Sequence, residues 1–121
     1  MKIIVLYGDS NSGKTTTLTT LFNKISPQNT KTTSINKYGD FESDPFSYKN
    51  KQIVVYTCGD ELQYVGNGII SNIAKADVLI IACSKKFKKY LPVQLFLARE
   101  IVVITKTQNN QNDINQIIAS I

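Results

Sequence analysis

Four segments of this chain are apolar at nearly every position and have the length of a strand. They are Lys2–Tyr7 (KIIVLY), Gln52–Thr57 (QIVVYT), Asp77–Cys83 (DVLIIAC) and Ile101–Thr105 (IVVIT). A strand with one face in water alternates apolar and polar residues, so continuous runs predict strands covered on both faces. The segments between them carry a different period. Leu18, Leu21, Phe22 and Ile25 share one face of a helix that Ser26-Pro27 ends. Ile69, Ile70 and Ile73 mark a second helix, settled by Asn67. Pro92 suits the first turn of a third, with Leu91, Leu95 and Ala98 facing the core. Ile114, Ile117, Ile118 and Ile121 mark the last. Strands alternating with helices predict an α/β fold: a three-layer parallel sheet with helices on both faces and the first strand central. At 121 residues, this is one domain over 1–121.

Between the first strand and the first helix lies GDSNSGKT, Gly8 to Thr15. It satisfies the pattern G-x-x-x-x-G-K-[ST] and has the required setting of strand before and helix after. Each residue type has a physical role. Gly8 and Gly13 permit backbone angles and approaches that a side chain would block. The turn across Asp9, Ser10, Asn11 and Ser12 forms a nest of N–H groups for phosphate oxygens. The helix start, through Thr16, adds unpaired N–H groups and the positive end of its dipole. Lys14 places an ammonium against the β- and γ-phosphates, and Thr15 offers a hydroxyl to Mg²⁺.

On these residues the chain resembles the P-loop NTPase superfamily. The hairpin predicted before the second strand, Phe46–Tyr48 turning at Lys49-Asn50, resembles the small Ras-like GTPase layout. The resemblance implies a nucleoside triphosphate, ATP or GTP, bound with Mg²⁺ by Gly8, Asp9, Ser10, Asn11, Ser12, Gly13, Lys14, Thr15 and Thr16. It also implies phosphoryl chemistry driven by positioning and electrostatics, with Lys14 on the charge of the reacting phosphates.

The family places an acid directly after the second apolar strand, whereas this chain has Thr57. Acids follow at Asp60 and Glu61. Asp60 is the candidate for the metal, with Thr15, and Glu61 the candidate to orient water or act as base; the alternative is that both cap the following helix. The family reads guanine with N/T-K-x-D, and this chain has Thr105-Lys106-Thr107-Gln108, which leaves the base open between ATP and GTP. Lys85, Lys86, Lys88 and Lys89 form a KKFKK loop, read as a solvated basic face, a kinase lid or a nucleic acid contact through Phe87 and Tyr90. The polar segment 28–48 reads as a mobile stretch followed by the hairpin, and is a candidate surface for a protein partner. Within it, Thr30, Thr32 and Thr33 are candidates to sense the metal, and Asp40, Glu42 and Asp44 to hold a second substrate or balance charge.

Composition excludes other chemistry. The chain has no histidine, which removes a Ser-His-Asp triad and a histidine-bound zinc site. Two cysteines without framework spacing point to a reducing cytoplasm, and the two are expected about two strand spacings apart, too far for a disulfide. No apolar run approaches the roughly 20 residues of a membrane span, and the early strand leaves no room for a secretory leader. The net charge is +5 and all but one of the 14 basic residues are lysines, which suits an anionic ligand. The reading is therefore an NTP- and Mg²⁺-binding protein with slow hydrolysis or phosphoryl transfer. Two alternatives stand beside it: a non-catalytic nucleotide-dependent switch or adaptor, and a small-molecule kinase with a basic lid.

Overall fold

A computed structural model gives the fold and describes residues 1–9, 11–87 and 98–121. In chain order the elements are β1 (Lys2–Gly8), α1 (Lys14–Ile25), β2 (Thr32–Ser34), β3 (Phe41–Ser43), β4 (Phe46–Tyr48), β5 (Lys51–Tyr56), α2 (Leu62–Asn72), β6 (Val78–Ser84), a 3₁₀ turn (Lys85–Phe87), β7 (Glu100–Thr105) and α3 (Asn110–Ser120). The predicted Pro92 helix, with Lys88, Lys89 and Tyr90 before it, lies outside the described residues.

The architecture is α/β, and the sheet is mixed rather than parallel throughout. Its order is β2-β3-β5-β6-β1-β7, with β4 also paired to β5. The four apolar segments form the parallel part, in which β1 lies between β6 and β7 and β5 pairs β6. The polar stretch before β5 supplies the antiparallel part, with β2 on β3 and both β3 and β4 on β5. Chain neighbours joined by short turns pair antiparallel, because a parallel return needs a long crossover. The β4–β5 turn falls at Lys49-Asn50, whose φ values of 51° and 62° match the twist of a two-residue hairpin.

Strand pairing also corrects the placement of the cysteines. Cys58 follows β5 and Cys83 lies on β6, so they belong to neighbouring strands, not to strands on either side of β1. Both thiols are buried and free.

Alternation along the strands splits the core in two. Ile4 and Leu6 of β1, Val55 of β5 and Ile80 of β6 pack with Leu18, Leu21 and Phe22 of α1 and Ile114 and Ile117 of α3. Ile3, Val5, Val54 and Ile81 pack with Val65 and Ile69 of α2. Full burial of each such side chain contributes about 1.5–3 kcal/mol, which offsets the weak helix propensity of the threonines in α1. The parallel strands and this packing fix where β1 ends and α1 begins, and so where the Gly8–Thr15 loop stands.

Candidate functional site

Gly8 closes β1 at a point crowded by neighbouring side chains. A Cβ there would stand 2.8 Å from Lys106 Cβ and 2.9 Å from Ser12 Oγ. Asn11 takes φ 66° and Gly13 φ 89°, so the chain turns twice through the left-handed region before α1. Ser12 N–H closes the turn on Asp9 O at 3.1 Å, and Thr17 N–H makes the first helical bond to Gly13 O. The N–H groups of the helix's opening turn have no acceptors within the helix. Among the described residues no side chain caps α1, and no acidic residue lies in its first turn, so its positive end is not neutralised from within the helix. Ser10 lies outside the described residues.

Lys14 is only 5% exposed. Its ammonium donates to Asp9 O at 2.7 Å and lies 3.5 Å from Asp60 Oδ1. A buried ammonium needs anionic or carbonyl partners, and here one carbonyl and a half-exposed carboxylate supply them. Thr15 Oγ1 donates to Asp40 Oδ1 at 2.9 Å.

Lys14, Thr15, Asp40 and Asp60 line an open cleft of about 670 Å³ with Asn11, Gly13, Thr16, Asn36, Tyr38, Thr57, Cys58, Gly59, Glu61 and Tyr64. Among the described residues, the charged groups on its walls are Lys14, Asp40, Asp60 and Glu61, one cation against three carboxylates. Glu61 is exposed and sits in extended backbone just before α2, where its carbonyl accepts from Tyr64 and Val65 N–H. The helix therefore starts five residues before Asn67, directly from the acidic pair. Gly59 permits this close passage: a Cβ there would stand 2.3 Å from Ala82 O.

The cleft thus brings together Asn11, Gly13, Lys14, Thr15, Thr16, Asp60 and Glu61 of the predicted residues. Thr32 and Thr33 are exposed in β2 and do not line it. Glu42 turns to Asn72 and Lys75 instead. Asp40 joins the cleft from the loop before β3, and its contact with Thr15 was not legible in the sequence.

Lys106 borders the loop from behind. Its stem packs on Gly8, and its ammonium pairs with Asp113 at 3.1 Å and donates to Asn110 Oδ1 at 2.6 Å. Asp113 accepts from Thr107 N–H and Oγ1–H. Burial pushes the Asp113 carboxyl up, but the Thr107 bonds and Lys106 outweigh it and hold the pKa below 3.8. Burial, with Asp40 nearby, pushes the Cys58 thiol up to about 12. Burial also raises Cys83, against a smaller opposing pull from Lys14.

Among the described residues, no group of three or more His, Cys, Asp and Glu side chains could hold a metal ion alone. The oxygen donors around Thr15 suit a hard cation that keeps waters and shares phosphate ligands, as Mg²⁺ does. Among the described residues, no helix is long and apolar enough to cross a membrane. No family model matches this chain, and no curated protein or solved structure matches it.

Proposed function

We propose that this chain is a P-loop protein that binds a nucleoside triphosphate, ATP or GTP, together with Mg²⁺, and turns it over slowly by hydrolysis or phosphoryl transfer. The observation that carries this reading is the setting of GDSNSGKT. The motif joins a buried parallel strand to an uncapped helix, and its lysine is held at the wall of a cleft wide enough for a nucleotide. Asp9 O and Asp60 engage the ammonium where phosphate oxygens would. On this reading Lys14 and the loop N–H groups stabilise charge on the phosphates, Thr15 takes part in holding the metal, and Glu61 orients water. Mg²⁺, when bound, neutralises phosphate charge.

The switch reading draws on a different contact. Asp40 belongs to the polar 28–48 segment and reaches the first turn of α1 through Thr15. Whatever binds at Thr15 thereby acts on the β2–β3 hairpin, where a protein partner would sense it. Of the four lysines of the basic loop, only Lys85 and Lys86 lie in the described residues.

A thermal-shift panel tests the reading: ATP, GTP and their diphosphates, with and without Mg²⁺, on wild type and Lys14→Ala. Nucleotide at 100 times its Kd stabilises the fold by about 2.7 kcal/mol. The expected result is a shift with one triphosphate that the variant loses. Equal behaviour of wild type and variant overturns it.

A further inference from the structure

Thr57 directly follows β5, where the P-loop pattern would place a metal-binding acid. The side chain there is not idle. Thr57 Oγ1 accepts from Phe41 N–H at 2.9 Å and donates to Asp40 Oδ1 at 2.9 Å. Thr15 Oγ1 donates to the same carboxylate oxygen at 2.9 Å. The other oxygen, Asp40 Oδ2, accepts from Asn36 Nδ2 at 2.8 Å.

The loop that carries Asp40 is fixed from within. Ile35 N–H donates to Asp40 O at 2.9 Å, and Asn36 Oδ1 accepts from Tyr38 N–H at 2.9 Å. Gly39, at φ 93°, makes the tight reversal just before the aspartate. Thr57 and Asn36 therefore hold the carboxylate against the hydroxyl of the motif threonine, three hydrogen bonds to the carboxylate in all. Among the described residues, no lysine or arginine pairs with it. Asp60 is differently placed: its ion pair is with Lys14, and its side chain is 55% exposed.

We propose, resting on the nucleotide-binding reading above, that Asp40 is the acidic group of the Mg²⁺ shell, delivered by the β2–β3 loop and oriented by Thr57, in place of an acid at the end of β5. A threonine that donates its proton to a carboxylate keeps its lone pairs for a cation, so the Thr15–Asp40 bond leaves Thr15 Oγ able to serve as a ligand. The carboxylate that receives this bond raises the electron density on the ligand oxygen and fixes its direction. Neither effect needs direct coordination by Asp40.

The cleft's charge gives the proposal a signature of its own. Among the described residues, one ammonium and three carboxylates line the cleft, so each carboxylate, Asp40 included, repels a polyphosphate that arrives without a cation. The cation reverses that sign. Asp40→Asn removes one repelling charge but keeps an oxygen for Thr15 and Thr57. It therefore leaves metal-free nucleotide binding equal or tighter while weakening the response to Mg²⁺. A residue that merely supported the fold would weaken both.

The test is calorimetric titration of ATP and of GTP into wild type, Asp40→Asn, Asp60→Asn and Thr57→Val, each at a series of Mg²⁺ concentrations and in chelator. The wild type is expected to bind tighter with Mg²⁺. Asp40→Asn is expected to need about 10–100 times more Mg²⁺ for the same gain, the usual effect of losing an outer-shell partner. Thr57→Val is expected to shift in the same direction, and Asp60→Asn to stay near wild type. Mn²⁺ read by electron paramagnetic resonance gives the same ranking without turnover. The proposal fails if Asp40→Asn keeps the wild-type Mg²⁺ response, or if Asp60→Asn alone loses it. If wild type binds nucleotide with no Mg²⁺ gain, the proposal falls with the metal part of the reading, and nucleotide binding stands; if it binds none, both fall. Should Asp40→Asn not fold, Thr57→Val carries the test, and an unchanged Mg²⁺ response there overturns the proposal.

Discussion

Replacing Lys106 with methionine probes the ion pair behind the loop. The two side chains are 2% and 0% exposed and 3.1 Å apart. Methionine keeps most of the stem that packs on Gly8 but leaves Asp113 buried without its cation. Breaking a buried pair from one side costs about 3–5 kcal/mol. Asp113 retains its bonds from Thr107 N–H and Oγ1–H, at 2.9 and 2.8 Å, so the loss belongs at the lower end, about 3 kcal/mol. For a domain of this size that lowers Tm by about 10–15 °C. Adding Asp113→Asn removes the stranded charge, and the double variant should recover half or more of the loss. Urea unfolding followed by far-UV circular dichroism is the assay, since the chain has no tryptophan. Acidification adds a sign. The folded pKa of Asp113 is depressed, so its contribution is present above the ordinary value of 3.8 and is lost as pH falls through the folded value. The stability gap between wild type and Asp113→Asn should therefore shrink in that acid window. A single Lys106→Met variant within about 1 kcal/mol of wild type, or a double variant no better than the single, would refute the reasoning.

Gly59→Ala should be among the costliest small substitutions, at least about 3 kcal/mol, because its Cβ would meet the Ala82 backbone carbonyl at 2.3 Å. Gly39→Ala, where no atom lies within 4 Å but φ is 93°, should cost only about 1–2 kcal/mol of backbone strain, and the same urea titration compares the two. The buried thiols should resist alkylation: with Cys58 raised to about 12, its thiolate at mildly alkaline pH is about a thousandth of the ordinary fraction. Mass spectrometry after brief iodoacetamide treatment should find both cysteines unmodified until denaturant is added; rapid labelling of the native chain would contradict their placement.

How much of this was legible in the sequence follows the strength of each local signal. β1, β5 and β6 announced themselves because burial on both faces leaves no polar position inside the run, as at Ile3–Leu6; β7 was placed as a strand, but it lies at the sheet's edge with Ile101 and Val103 exposed, so the expectation of two covered faces fails there. The face of α1 was equally plain, since Leu18, Leu21, Phe22 and Ile25 all reach the core. The β4–β5 hairpin could be placed because Lys49-Asn50 separates two strand-like runs. β2 and β3 could not: Thr32–Ser34 is exposed throughout, and nothing in such a tripeptide distinguishes an edge strand from a polar loop. The start of α2 was missed for a related reason, since Gly66 and Gly68 argue against a helix until Gly68 is seen packed on the Tyr56 ring. At the site, the loop from Gly8 to Thr15 was readable because its residue types are set by local backbone geometry. The Thr15–Asp40 bond spans 25 positions and depends on how the β2–β3 hairpin closes, which no local pattern encodes.

The central claim is that the loop from Gly8 to Thr15, with Lys14, seats a polyphosphate. Phosphorus NMR of ATP and GTP with Mg²⁺, titrated with wild type and with Lys14→Ala, reads the phosphates directly. The β- and γ-phosphate resonances of one triphosphate should shift and broaden with wild type and stay in place with the variant. Resonances that ignore the wild-type protein, or that move equally with both, would contradict it.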